Sequence, residues 1–91
     1  MSKAAHRLGD PNSDGAAITA IPQGTVFINN LQASINGSEV EEHGIGEHDN
    51  PFTDSGSPTV FITNIPANRT GDPDTCGHPR AEGSPNVFIG P

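Results

Sequence analysis

The chain has no Trp, no Tyr, one Met, one Cys and four Phe. Hydrophobic residues make up 31% of its 91 positions. That is thin for a self-sufficient core, and a domain this small often depends on a metal, a disulfide or a partner. The lone Cys76 excludes an internal disulfide, so any staple must be of another kind. Basic residues are scarce as well: 4 Lys plus Arg against 11 Asp plus Glu give a formal charge of −7. A nucleic-acid phosphate backbone is thereby excluded as the partner. No apolar run approaches the length of a membrane-crossing helix. The opening Met1-Ser2-Lys3-Ala4-Ala5-His6-Arg7 leads into Gly9-Asp10 and not into an apolar stretch, so no signal peptide is expected. Helical periodicity is missing, because 11 Gly and 9 Pro interrupt the chain too often. That content approaches the range of disordered chains, and an acidic, largely disordered binding segment is one reading of the totals.

What the chain does have is repetition. Gly83-Ser84-Pro85-Asn86-Val87-Phe88-Ile89 is written again as Gly56-Ser57-Pro58-Thr59-Val60-Phe61-Ile62, and in a worn form as Pro22-Gln23-Gly24-Thr25-Val26-Phe27-Ile28. A second signal, Ala5-x-Arg7-x-Gly9-Asp10-Pro11, recurs as Ala67-x-Arg69-x-Gly71-Asp72-Pro73, with a weaker middle copy, Ala33-Ser34-Ile35-Asn36-Gly37-Ser38. Val26 and Val60 are as far apart in the chain as Gly37 and Gly71, so the two signals recur in register. An ordered repeat argues against disorder, and each copy reads as a unit that cannot bury its apolar surface alone. One domain over 1–91 is expected, with units over 4–30, 31–64 and 65–91.

The β-branched and aromatic runs Thr25–Asn29, Thr59–Thr63 and Asn86–Ile89 predict short strands. Asn29-Asn30 and Thr63-Asn64 predict the tight turns that leave the first two. Ile18, Ile21, Ile35 and Val40 mark partner strands. Val and Phe in each run point to opposite sides, so one of the two packs inward while the other faces out; the sequence leaves open which. Arg7 with Asp10, and Arg69 with Asp72, are expected to brace their turns. Residues 38–55 form the one long loop, acidic and bearing His43 and His48.

These residues together resemble the PAAR-repeat proteins (proline-alanine-alanine-arginine) over nearly the whole chain. The naming motif is best kept as Pro66-Ala67-Asn68-Arg69. The resemblance implies an all-β fold: a small cone of three pseudo-symmetric β-hairpin repeats, with a metal held at its apex by His and Cys. It implies a structural tip that caps a trimeric β-helical spike, one copy per trimer, in a contractile phage tail or a type VI secretion needle. Such a tip sits on the virion tail, or is made in the cytoplasm and secreted through the type VI system; it meets the target membrane in passing and can carry effector cargo. Val26, Phe27, Val60, Phe61, Val87 and Phe88 are the residues expected to supply the spike-binding base and core.

Four residues form the expected metal set: His43, His48, Cys76 and His78. Cys76-x-His78 places both side chains on one side of an extended segment. His43 and His48 share a glycine-containing loop that can turn both rings to one point. Two His with Cys and His make a closed tetrahedral site suited to structural zinc, and thiolate with imidazole also suits iron. His6 is set aside as turn-packing or solvent-exposed. Asp14 occupies the place in the first unit that Cys76 holds in the last. The alternative is a small metal-dependent hydrolase with Glu42 or Glu47 as base, which needs an open coordination position and a cleft. No catalytic residues are expected, since the chain shows neither HExxH nor a phosphate-cradling loop.

Overall fold

The computed structural model describes residues 2–44, 46 and 50–90. The strands among them are β1 (Lys3–Ala4), β2 (Ile18–Ala20), β3 (Phe27–Ile28), β4 (Leu31–Gln32), β5 (Glu39–Val40), β6 (Phe61–Ile62), β7 (Ile65–Pro66) and β8 (Phe88–Ile89). The strands are shorter than the sequence runs suggest, because each apolar run spends its first residues in a turn. Ser57 Oγ accepts from the Thr59 and Val60 amides, and Ser84 Oγ does the same for Asn86 and Val87. The worn copy keeps this device with a longer side chain: Gln23 Oε1 accepts from the Thr25 and Val26 amides at 2.9 and 3.0 Å.

Three antiparallel hairpins follow. β3 pairs with β4 across Asn29-Asn30, and β6 with β7 across Thr63-Asn64. Both residues of each turn have positive φ (54° and 67°; 52° and 69°). That is the twist-matched two-residue hairpin turn. The third hairpin is open: β8 pairs with β1, so the chain's two ends close what a turn closes elsewhere. The register is the same in all three, with Phe27 opposite Gln32, Phe61 opposite Pro66 and Phe88 opposite Ala4.

Each hairpin leads into one edge of a closed triangle. The His6 amide donates to the Asn68 carbonyl (3.1 Å), Asn68 to Ser34 (3.0 Å), and Ser34 back to His6 (2.9 Å). Ala5, Ala33 and Ala67, one residue earlier in each unit, are fully buried around it. A small apolar side chain recurs at this buried position in all three units. Ile28, Val60 and Ile62 pack against Ala5, Ala67 and Ile89 to form the core beneath the triangle.

Beyond the triangle each unit continues as a narrow ribbon. The Gly9, Gly37 and Gly71 amides donate to the carbonyls of Ile18, Thr53 and Arg80. All three glycines sit at φ of 89–90°, where an L side chain is strained. The ribbons are then stitched side to side by the bridges Asn12–Arg80 and Thr53–Asp74 and by the β2–β5 pair, so each is paired on both flanks. Among the described residues, a ring of this kind leaves no long unpaired edge. A second small core of Ala16, Ile18 and Val40, with Leu8 and Ile21 against it, fills one side. Of the partner strands expected from the sequence, Ile18 and Val40 pair, Ile35 makes a single bridge to Ala67, and Ile21 packs without strand pairing.

The Arg–Asp braces are bidentate. Arg69 Nε and Nη2 donate to Asp72 at 3.2 and 2.8 Å, and Arg7 Nε and Nη2 donate to Asp10 at 2.9 and 3.0 Å. Hydrogen bonding to the carboxylates raises the proton affinity of both guanidinium groups. The middle unit meets the same demand without charge: the Ile35 amide donates to Ser38 Oγ at 3.3 Å, where the Arg amides donate to Asp.

Gly83 is needed for close approach. A Cβ there would lie 2.5 Å from the Ala5 carbonyl oxygen, whereas one on Gly24 would meet nothing nearer than 3.9 Å. Gly83→Ala is therefore expected to lower stability by about 1–3 kcal/mol, with Gly24→Ala close to neutral, as measured by denaturant unfolding. Equal midpoints for the two variants would contradict this packing.

Candidate metal centre

The ribbons end in turns on the side away from the hairpins. In the first unit Asn12-Ser13-Asp14-Gly15-Ala16 closes with the Asn12 amide donating to the Ala16 carbonyl (2.9 Å). In the last unit Asp74-Thr75-Cys76-Gly77-His78 closes the same way, Asp74 to His78 at 2.9 Å. Gly15 and Gly77 take φ of 83° and 91° at matching places. Asp14 and Cys76 are thus structural equivalents. In the middle unit the long loop stands where the other two have tight turns.

That arrangement carries three donor atoms to one point. His43 Nε2 lies 3.1 Å from His78 Nδ1, and Cys76 Sγ lies 3.5 Å from His43 Nε2 and 3.6 Å from His78 Nδ1. All three side chains are half-buried. A tetrahedral ion with the usual metal–nitrogen and metal–sulfur bond lengths sets donors roughly 3.4 Å apart for N/N and roughly 3.6 Å for N/S. The observed triangle therefore fits one face of a tetrahedron. The tautomer fits too. His43 Nδ1 lies 2.9 Å from the Glu41 carbonyl oxygen, an arrangement that fixes the proton on Nδ1 and turns the Nε2 lone pair inward.

Of the expected set, His43, Cys76 and His78 come together, and His48 lies outside the described residues. Asp14 is exposed and does not belong to this group; its turn places it with Ser13 and Gly15 at the surface. Glu42 is exposed, and Glu47 lies outside the described residues.

Beneath the cluster sits an ion pair with no exposed side-chain surface, Arg80 Nε to Asp74 Oδ1 at 3.3 Å. Asn12 Nδ2 donates to Asp74 Oδ2 (2.9 Å), and Arg80 Nη2 donates to the Ala16 carbonyl (2.8 Å), which ties the first unit to the last. Burial raises the proton affinity of Asp74 and lowers that of Arg80, each opposed by the other's charge. Sequence reasoning missed this pair. Arg80 lies outside every repeated signal, and its signature is that it is the one Arg without an Asp three residues on.

Of the two readings of His6, turn-packing or solvent-exposed, the exposed one is overturned. His6 is fully buried on the axis, not exposed, because its unit-mates in the triangle are Ser34 and Asn68 and the three share one interior. Its pKa is lowered from 6.5 to about 4, first by burial and then by the charge of Arg80. A depressed histidine stabilises the fold fully above its unfolded pKa and loses that contribution as pH falls toward the folded value. Between pH 6.5 and 4 His6 is expected to cost the fold about 3 kcal/mol. Urea unfolding of the metal-loaded protein across that range should show a steeper loss in the parent than in His6→Asn, the difference being the His6 share. Parallel losses in both would place the acid sensitivity elsewhere.

Fold and site together define a small all-β plug, closed on itself, with a His–Cys–His group at the end away from its hairpins. The PAAR motif profile matches residues 8–79, most of the chain, and the protein belongs to the PAAR motif family. No curated protein was found to match it.

Proposed function

We propose that this protein is the structural tip of a contractile injection machine, a phage tail or a type VI secretion needle, and caps the blunt end of a trimeric β-helical spike with one copy per trimer. The observation that carries this reading is the state of the three phenylalanines. Phe27, Phe61 and Phe88 occupy one register position in the three hairpins and are 55%, 54% and 52% exposed. Large side chains left half in water at equal exposure, related by a three-fold arrangement, suit a partner with three-fold symmetry. Their neighbours divide the work: Val60 packs into the core and Val26 is half-buried, while Val87 is 36% exposed at the open hairpin. Phe27, Phe61 and Phe88 are then the anchors of the base, with Val26, Val60 and Val87 behind them.

At the other end His43, Cys76 and His78, with His48 as the fourth donor suggested by its spacing, would hold zinc or iron. The ion would supply cross-linking and no turnover: it would join the middle and last units where the ribbons end, and stiffen the point that meets the target envelope. The protein acts as a part and not as an enzyme, on the virion tail or secreted through the needle, with or without cargo. Native mass spectrometry of the protein mixed with a trimeric β-helical spike-end fragment tests this. One chain per three is expected; no complex, or three chains per trimer, would overturn it.

A further inference from the structure

Three buried side chains keep polar atoms that neither the base nor the candidate metal centre accounts for. Both ring nitrogens of His6 lack a hydrogen-bond partner, and so do Arg80 Nε and Nη1 and Asp74 Oδ1. His6 is 0% exposed and Arg80 1%. The ladder places them in successive layers. His6 belongs to the triangle with Ser34 and Asn68. Arg80 stands one step toward the metal centre, as the equivalent of Ile18 and Thr53.

We infer that a water molecule is built into the axis of the plug, bridging the His6 imidazole to Arg80 Nη1. Buried polar groups left unpaired are costly, and internal waters make about three hydrogen bonds to such groups. The chemistry here selects a ligand that both accepts and donates. Arg80 Nη1 has only hydrogens to offer. A neutral imidazole offers one lone pair, and the Asp10 backbone stands beside the ring. Water accepts from Arg80, donates to the His6 lone pair, and has a second hydrogen for Asp74 Oδ1. A halide would satisfy Arg80 alone, and Asp74 already neutralises that charge. The water joins the triangle at the hairpin end to the Asp74–Arg80 pair, two residues from Cys76 and His78. This inference does not rest on the spike reading.

The test is an atomic-resolution crystal structure of the full chain near neutral pH, with a parallel bromide soak. The expected result is a fully occupied water within hydrogen-bond distance of both a His6 ring nitrogen and Arg80 Nη1, with no anomalous bromide peak there. Nitrogen-15 NMR of labelled histidine should show one protonated and one unprotonated, hydrogen-bonded His6 nitrogen. A bromide peak at the site, an empty gap, or a doubly protonated His6 would each overturn the assignment.

Discussion

Cys76→Ala protein, and parent protein stripped with a strong chelator, should both unfold tens of degrees below the metal-loaded parent. Structural zinc sites contribute on the order of 10 kcal/mol of folding free energy. In a domain of this size each kcal/mol shifts the midpoint by about 4–8 °C. The core cannot absorb such a loss. Its buried apolar residues form two small clusters built largely on alanines. The donor triangle also joins two segments distant in the chain, since His43 belongs to the long loop and Cys76 and His78 to the last turn. His78→Ala should behave as Cys76→Ala does, and combining the two should add little, because either change opens the same clamp. Calorimetry with and without chelator reads this out. A midpoint that chelation leaves in place would mean that the hydrogen-bonded ring holds the fold by itself.

Replacing Phe27, Phe61 and Phe88 together with Ser should abolish capture by the spike end and leave the fold intact. Half-exposed aromatic anchors that become buried at an interface are each worth about 2 kcal/mol or more, so the triple change weakens binding by 10³-fold or more. Since these rings contribute little to the internal core, the unfolding midpoint should hardly move. The combination of lost binding with retained stability distinguishes a docking face from a packed one. A fall in stability equal to the fall in affinity would show that the rings support the plug itself.

The sequence made the repeat legible because it rests on local chemistry. Val-Phe-Ile marks a strand, Asn-Asn a left-handed turn, and Gly-Asp-Pro a bend, and each recurs where the hairpins and ribbons lie. Two of the three candidate metal donors that come together, Cys76 and His78, were readable from spacing because they share one turn. The closure of the ring was not readable. β1 pairs with β8, and no pattern within either segment announces that the chain's ends complete a hairpin. The interior polarity was hidden for a related reason. His6 and Asn68 are aligned as surface-like residues in a turn motif, and only the three-fold hydrogen-bond triangle turns that position inward. Arg80 was silent because its partners, Asp74, Asn12 and Ala16, come from two units and meet only when the ring closes.

The most direct measurement is a crystal structure of the protein bound to the end of a trimeric β-helix, with anomalous data collected across the zinc and iron edges. The result in line with this reading is a single metal peak bonded to His43 Nε2, Cys76 Sγ and His78 Nδ1, with Phe27, Phe61 and Phe88 each seated on a different partner protomer. Phenylalanines left in solvent, or a metal peak away from those three atoms, would contradict it.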